Sequence, residues 1–288
     1  MKLGELFKTK TVLSFEVFPP KRDGSLASVY KTVEELSSLY PDFISVTYGA
    51  GGSAVDGGDT VEIASWIKQN CGTESVAHLP CLHLSKDEAQ RLLYRLQEHG
   101  IENTLALRGD RVEGLAETNA FRFANDLVRF IHENGDFHVL GACYPEGHPE
   151  SGGLVADIRN LKRKVDAGAD HLISQLFFDN QFFYRFRDHA AIAGIHVPIQ
   201  AGIMPVVNKR QIERMVSLCG ATLPNKFLKM MQRYERNEAA MRDAGIAYAV
   251  NQIVDLMAQG VDGIHLYTMN NPYIAKRICQ SIQSLVSA

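Results

Sequence analysis

Eight short apolar runs, rich in β-branched and aromatic residues, alternate with helical patterns along the chain, and no other feature narrows its fold as much. The runs are VLSFEVF from Val12, DFISVTY from Asp42, SVAHLPC from Ser75, NTLALRG from Asn103, HVLGACY from His138, HLISQLFF from His171, HVPIQAGIM from His196 and GIHLYTM from Gly263. The clearest helix between them has Ser85 and Glu88 as a capping box, Ala89, Leu92, Leu93 and Leu96 as its buried stripe and Gly100 as its stop. Leu26, Val29, Val33 and Leu36 form a second stripe; Ala124, Leu127, Val128 and Ile131 a third; Ile158, Leu161 and Val165 a fourth, ended by Gly168. Pro272 opens the last helix.

Strict alternation points to a parallel sheet, and right-handed crossovers then allow a closed barrel or an open doubly wound sheet. A count of eight favours closure. The expected fold is a (β/α)8 TIM barrel forming one catalytic domain over residues 1–288, elaborated between strands seven and eight by two or three helical segments that include Ile246 to Met257. Barrels of this kind run to about 250 residues or more as one domain. No repeat beyond the β/α unit, no low-complexity tract and no Pro-rich linker marks a second domain.

Composition removes several function classes. A hydrophobic fraction of 45% with 22% charged residues suits a soluble chain with a sizeable core. A net charge of -3, with no long run of lysines or arginines to mark a nucleic-acid surface, argues against a nucleic-acid partner. The five cysteines are scattered and never form CxxC, as expected in the reducing cytoplasm. No segment approaches the roughly 20 apolar residues of a membrane helix, and MKLGELFKTK has no signal-peptide core.

In such barrels chemistry collects where strands end. The polar residues at those positions are Glu16, Thr47, His78, Arg108 with Asp110, Tyr144 with Glu146 and His148, Gln175, and Tyr267. Alternation in the first strand sends Leu13, Phe15 and Val17 toward the helices and Ser14, Glu16 and Phe18 into the lumen. A partly buried lumen carboxyl favours its neutral form and can donate a proton; the alternative is a carboxylate paired with a buried lysine or arginine. Asp110, after Gly109, is either a second catalytic carboxylate or a loop cap. Histidines at strand ends are commonly satisfied core residues, and His78, His83 and His148 show no metal-ligand spacing, so no metal is expected. A Ser/His/Asp site lacks its GxSxG elbow. Gly49, Gly51 and Ala54 match a dinucleotide fingerprint formally, but Val55 to Asp59 interrupt the helix it requires. Lys162, Arg163 and Lys164, beside Asp157 and Asn160, are either a solvated helix face or a clamp for cofactor phosphates.

Taken together, SFEVFPP from Ser14, SVTYGAGG from Ser45, AHLPC from Ala77, ALRGD from Ala106, YPEGHPE from Tyr144, NLKRKVDAGAD from Asn160, QLFFD from Gln175 and HLYTMN from His265 resemble the methylenetetrahydrofolate reductases in their bacterial single-domain form. The resemblance implies a cytoplasmic, homo-oligomeric enzyme holding non-covalent FAD. It would use NAD(P)H to reduce 5,10-methylenetetrahydrofolate to 5-methyltetrahydrofolate, feeding one-carbon metabolism and methionine synthesis. It implies Glu16 as proton donor, Asp110 as the electrostatic partner of flavin and substrate, and Gln175 and Tyr267 as folate contacts. FAD contacts would come from Thr47, His78, Leu107, Arg108, Gly109, Asp110, Phe123, Ala124, Tyr144, His148, Asp157, Asn160, Arg163 and Lys164. The pattern departs at Phe123, Lys209 and Asn271, where relatives carry tyrosine, phenylalanine and arginine, and at AVDGGDT after the glycines. A partner flavoprotein or iron–sulfur protein as electron donor, and a flavin-free lyase using Glu16 and Asp110, are the competing expectations.

Overall fold

A computed structural model describes residues 1–20, 24–48, 58–111, 114 and 116–286. Eight parallel strands close into a barrel in sequence order: β1 (Val12–Val17), β2 (Phe43–Val46), β3 (Glu74–Pro80), β4 (Asn103–Leu107), β5 (His138–Cys143), β6 (His171–Ser174), β7 (Ile199–Ile203) and β8 (Gly263–Tyr267). Closure through β1 and β8 settles the choice between barrel and open sheet. The helices of the outer layer are α1 (Leu26–Ser37), α2 (Gly58–Cys71), α3 (Lys86–Glu98), α4 (Ala124–Asn134), α5 (Leu154–Asp166) and α6 (Asn180–Ile192). After β7 come α7 (Lys209–Cys219), α8 (Asn225–Tyr234) and α9 (Glu238–Ala258), and α10 (Pro272–Val286) follows β8. Gly49, Gly51 and Ala54 lie outside the described residues.

Local chemistry accounts for the helix ends. Ser85 accepts from the Glu88 N–H while the Glu88 carboxylate accepts from the Ser85 N–H at 2.8 Å, a reciprocal cap of about 1 kcal/mol that starts α3. Helix α9 begins eight residues before the expected Ile246, because the Asn237 side chain caps it by accepting from the Ala240 N–H. Gly245 then lies inside a helix rather than ending one. A Cβ there would stand 1.6 Å from the Val206 carbonyl oxygen, so only glycine lets α9 pass beneath the segment leaving β7.

Strand alternation sorts the core. Leu13, Phe15 and Val17 pack with the helices in the main apolar cluster, as do Ile44, Val46, Ala201, Ile203, Ile264 and Leu266. The opposite parity faces the lumen, where Val12, Phe43, Val76, Leu105, Leu140 and Ile173 join Leu3. That Leu3 belongs to a 3-10 helix, Leu3–Lys8, which the sequence alone did not reveal. Its Leu3, Leu6 and Phe7 close the barrel floor, and fully burying a side chain such as Leu3 contributes on the order of 2 kcal/mol. A third cluster, with Met204, Met231 and Met241 around Phe178 and Phe227, fastens α8 and α9 to the rim. Among the described residues no helix is long and apolar enough to cross a membrane.

Candidate active site

The last lumen-facing residue of β1 is Glu16, flanked in register by Ser45 on β2 and Tyr267 on β8. Its side chain retains 20% exposure, and Oε2 stands 3.8 Å from His78 Nε2 and 3.7 Å from His265 Nε2. Both of those nitrogens are buried without another hydrogen-bond partner. No lysine or arginine pairs with Glu16 among the described residues, so the carboxyl faces two imidazoles. Burial pushes the His78 ring down to about 4, with Glu16 opposing, so His78 is neutral near pH 7. His265 is fixed from behind, its Nδ1 lying 2.7 Å from Ser14 Oγ.

Tyr267 leans across the lumen and its hydroxyl donates to the Ser174 carbonyl at 2.8 Å. Gly202 makes room: a Cβ there would meet that same carbonyl oxygen at 2.2 Å and the Tyr267 hydroxyl at 2.9 Å. Burial, then the nearby Glu16, push the Tyr267 phenol far up, so it remains a donor rather than a phenolate. Gln175 follows β6, with its Oε1 accepting from the Leu176 N–H at 2.8 Å.

Beside this centre runs an open cleft enclosing about 1230 Å³ including its solvent-facing mouth. Leu107 and Arg108 after β4, Tyr144 and His148 after β5, and Phe123 and Ala124 at the start of α4 form its walls. Asp157, Asn160, Arg163 and Lys164 of α5 close one side. The basic run is divided: Lys162 turns away to pair with Asp166, while Arg163 donates to Asn160 Oδ1 and Lys164 reaches inward to the Ala142 carbonyl. Burial lowers the Lys164 pKa and raises that of Asp157, so neither charge is well solvated. His148 accepts from the Glu150 N–H through Nδ1, which leaves its Nε2 to carry the hydrogen of the neutral ring. Phe123 is 55% exposed, an apolar plate at the cleft edge.

Other expected residues lie around the cleft rather than in its lining. Thr47 holds the end of β2, its N–H donating to the Val17 carbonyl and its carbonyl accepting from Thr60. Gly109 takes a left-handed backbone, φ 85°, that turns the chain after β4. Asp110 is exposed at this turn, near enough to Tyr144 and Arg108 for its charge to raise both pKa values. Burial is the larger cause at Tyr144, which is pushed up to about 12. The His83 ring contacts the Ala116 and Asp110 carbonyls and so braces the same loop.

One residue at the site, Glu150, is not singled out in the sequence. Glu150 grips Arg108 through two bonds of 2.7 and 2.9 Å, which holds its carboxyl at about 2. Glu146 turns from the cleft and accepts from the Thr222 N–H, tying the loop after β5 to the connection between α7 and α8. Lys209 pairs with Glu235, and Asn271 accepts from the Ile274 N–H at the start of α10. Among the described residues no group of three or more His, Cys, Asp or Glu is disposed to hold a metal ion.

Similarity to known proteins agrees with this geometry. The profile of the family described as methylenetetrahydrofolate reductase matches residues 2–283. A 5,10-methylenetetrahydrofolate reductase of Pectobacterium carotovorum subsp. carotovorum is 35% identical over 270 residues, covering 94% of this chain and 89% of its own. Its counterpart in Escherichia coli K12 is 36% identical over 270 residues, covering 94% and 90%. A solved structure, an uncharacterized protein from Clostridium thermocellum that binds two copies of 5-methyl-5,6,7,8-tetrahydrofolic acid, shares the fold with a TM-score of 0.65 at 13% identity, covering 98% of each chain. With a family profile spanning nearly its whole length and relatives above one-third identity, the chain belongs to the methylenetetrahydrofolate reductase family of oxidoreductases.

Proposed function

We propose that this protein reduces 5,10-methylenetetrahydrofolate to 5-methyltetrahydrofolate, with NAD(P)H as donor and FAD seated in the cleft beside Glu16. The observation that carries the reading is the pairing of a lumen carboxyl, faced by two imidazoles and by no lysine or arginine among the described residues, with an adjoining cleft that has cations along one side.

The residues present fit a dinucleotide flavin. Arg163 and Lys164 supply positive charge for its phosphates, and an anion beside Lys164 would compensate the burial of that ammonium. His148 offers an N–H, Asn160 an amide, and Leu107, Phe123 and Ala124 offer apolar faces to the rings. Thr47, His78, Gly109 and Asp110, outside the cleft lining, would meet the flavin only where it extends toward the lumen. Bound FAD would take hydride from NAD(P)H and deliver it to the substrate carbon.

The protein's own contribution is proton placement and orientation. Glu16 donates a proton to a folate ring nitrogen, which opens the five-membered ring to an electrophilic iminium, and a hydride on the iminium carbon then completes the methyl product, one proton and one hydride in all. Asp110 sets a negative charge where the cationic iminium forms. Gln175 and Tyr267 hold the pterin edge, and the Tyr267 bond to Ser174 fixes the angle of its ring.

Glu16→Gln tests the assignment under anaerobic conditions. Flavin reduction by NAD(P)H should stay within a few-fold of the parent protein, while reoxidation by methylenetetrahydrofolate should slow by roughly 100-fold or more. Normal folate turnover in the variant would remove Glu16 as the acid, and protein that binds no flavin while correctly folded would remove the whole reading.

A further inference from the structure

The link between β1 and β8 continues past the ends of both strands, carried there by side chains instead of backbone. The last residues in register are Glu16 and Tyr267. Beyond them the Thr268 hydroxyl donates to the Glu16 carbonyl at 2.6 Å. The Asn270 amide meets both backbone groups of Phe18: Oδ1 accepts from the Phe18 N–H at 3.0 Å, and Nδ2 donates to the Phe18 carbonyl at 2.8 Å. Thr268 is buried, and its hydroxyl also accepts from the Asn270 N–H at 3.2 Å, so one oxygen ties the turn after β8 to the end of β1. Pro19 and Pro20 follow Phe18 and have no N–H, so the Phe18 amide is the last hydrogen that this end of β1 offers.

The turn that aims these groups is strained. Met269 and Asn270 both take left-handed backbones, φ 52° and 54°, a region that L side chains avoid and asparagine tolerates best among them. Two such residues in succession persist only where the surroundings over-determine them. Met269 packs with Tyr267 against the cluster that holds Phe178, Met204 and Phe227, and Asn270 is held by the Phe18 backbone. Lower in the lumen the neighbours are fixed separately. Ser14 Oγ lies 2.7 Å from His265 Nδ1 and accepts from the Gln200 amide at 3.0 Å, while His171 and His138 bond each other at 2.8 Å near the floor, where Phe7 packs on His171. The Glu16 carboxyl stands 3.7 and 3.8 Å from its two imidazoles, too far for either to hold it by a hydrogen bond. Its place is therefore set by the backbone that carries it.

We propose that Asn270 and Thr268 are positioning residues, which fix the height of the Glu16 carboxyl over the lumen by clamping the backbone at Glu16 and Phe18. The consequence for catalysis rests on the role given to Glu16 above. An acid that must reach one ring nitrogen loses on the order of 100-fold in rate when displaced by about 1 Å, and neither clamp residue needs to touch substrate to prevent this.

Asn270→Gly provides the test, because glycine keeps the left-handed backbone and removes only the amide. In the full chain labelled with 15N, without cofactor or substrate, the Phe18 amide should exchange with deuterium roughly 10-fold faster or more in the variant. The ring signals of His78 and His265, which face Glu16, should shift, while those of His138 and His171 stay in place. Unmoved signals at His78 and His265, or equal movement of all four rings, would overturn the positioning role. Should Asn270→Gly fail to fold, Thr268→Ser and Thr268→Val serve: the serine keeps the hydroxyl and should match the parent at His78 and His265, the valine should shift both, and a serine that behaves as the valine does refutes the clamp. In anaerobic kinetics Asn270→Gly should slow flavin reoxidation by methylenetetrahydrofolate by roughly 10- to 100-fold and leave reduction by NAD(P)H within about 3-fold of the parent. Added to Glu16→Gln, it should slow reoxidation by no more than about 3-fold further, since a residue that acts through Glu16 has nothing left to position. Full additivity with Glu16→Gln, or equal slowing of both half-reactions, would refute the proposal. The ring signals are read without folate, so they decide the clamp even if the functional reading of Glu16 fails.

Discussion

Acid should unfold this protein in part through one ring, His78, and the size of that effect follows from its setting. Only 4% exposed, the imidazole is pushed from 6.5 to about 4 by burial, with Glu16 pulling the other way. Below pH 6.5 the unfolded chain takes up a proton at this position that the folded chain refuses, so stability is complete above that pH and falls as the solution is acidified toward 4. For these two values the loss is ~2 kcal/mol at pH 5 and ~3 kcal/mol at pH 4. Urea unfolding of the parent and of His78→Gln at pH 7 and pH 5 isolates the ring, because the fixed cost of the substitution drops out of the difference. The parent should lose ~2 kcal/mol more than the variant between those pH values. Parallel losses in the two proteins would mean that His78 titrates normally and that the pocket around Glu16 is wetter than its burial implies.

Two further outcomes test the cleft and the lumen. Lys164→Ala should weaken flavin binding by roughly 10- to 100-fold, the worth of a charge-assisted bond to phosphate, as followed by quenching of flavin fluorescence; unchanged affinity would place the phosphates elsewhere. Gly202→Ala puts a Cβ 2.2 Å from the Ser174 carbonyl oxygen and should cost ~1–3 kcal/mol in chemical denaturation while tilting Tyr267 and raising the KM for folate more than that for NAD(P)H. An alanine variant with parent stability and parent KM values would show that the β6–β7 pair yields more easily than its geometry indicates.

The barrel was legible because its strands and helices carry different periods, and Glu16 because one strand alternates cleanly between Phe15 outward and Ser14 inward. The same alternation, applied to β6, β7 and β8, marks His171, Gln200 and His265 as lumen residues. They sit lower in the lumen than the strand ends where barrel chemistry collects, so position along the strand does not flag them. The division of Lys162 from Lys164 depends on about 100° of helix rotation per residue and on Asp166 one turn away, and a run of like charges conceals it. Gly245 answers to a carbonyl of a distant segment that no local pattern contains. The bond between Arg108 and Glu150 joins loops 42 residues apart, and that proximity exists only after closure.

The buried contacts of Ser14 with His265 and Gln200, and of His171 with His138, also bear on how the sheet finds its alignment. A strand sliding by two residues against its neighbour keeps the same side chains facing inward, so hydrophobic patterning alone does not forbid it. Such a slip would bring the amide or an imidazole against residues such as Leu140 or Ile173 and strand its donors in a dry interior. With bonds linking β1 to β8, β7 to β1 and β6 to β5, these buried polar contacts work as a key cut for a single alignment, penalising misaligned barrels more than they strengthen the correct one.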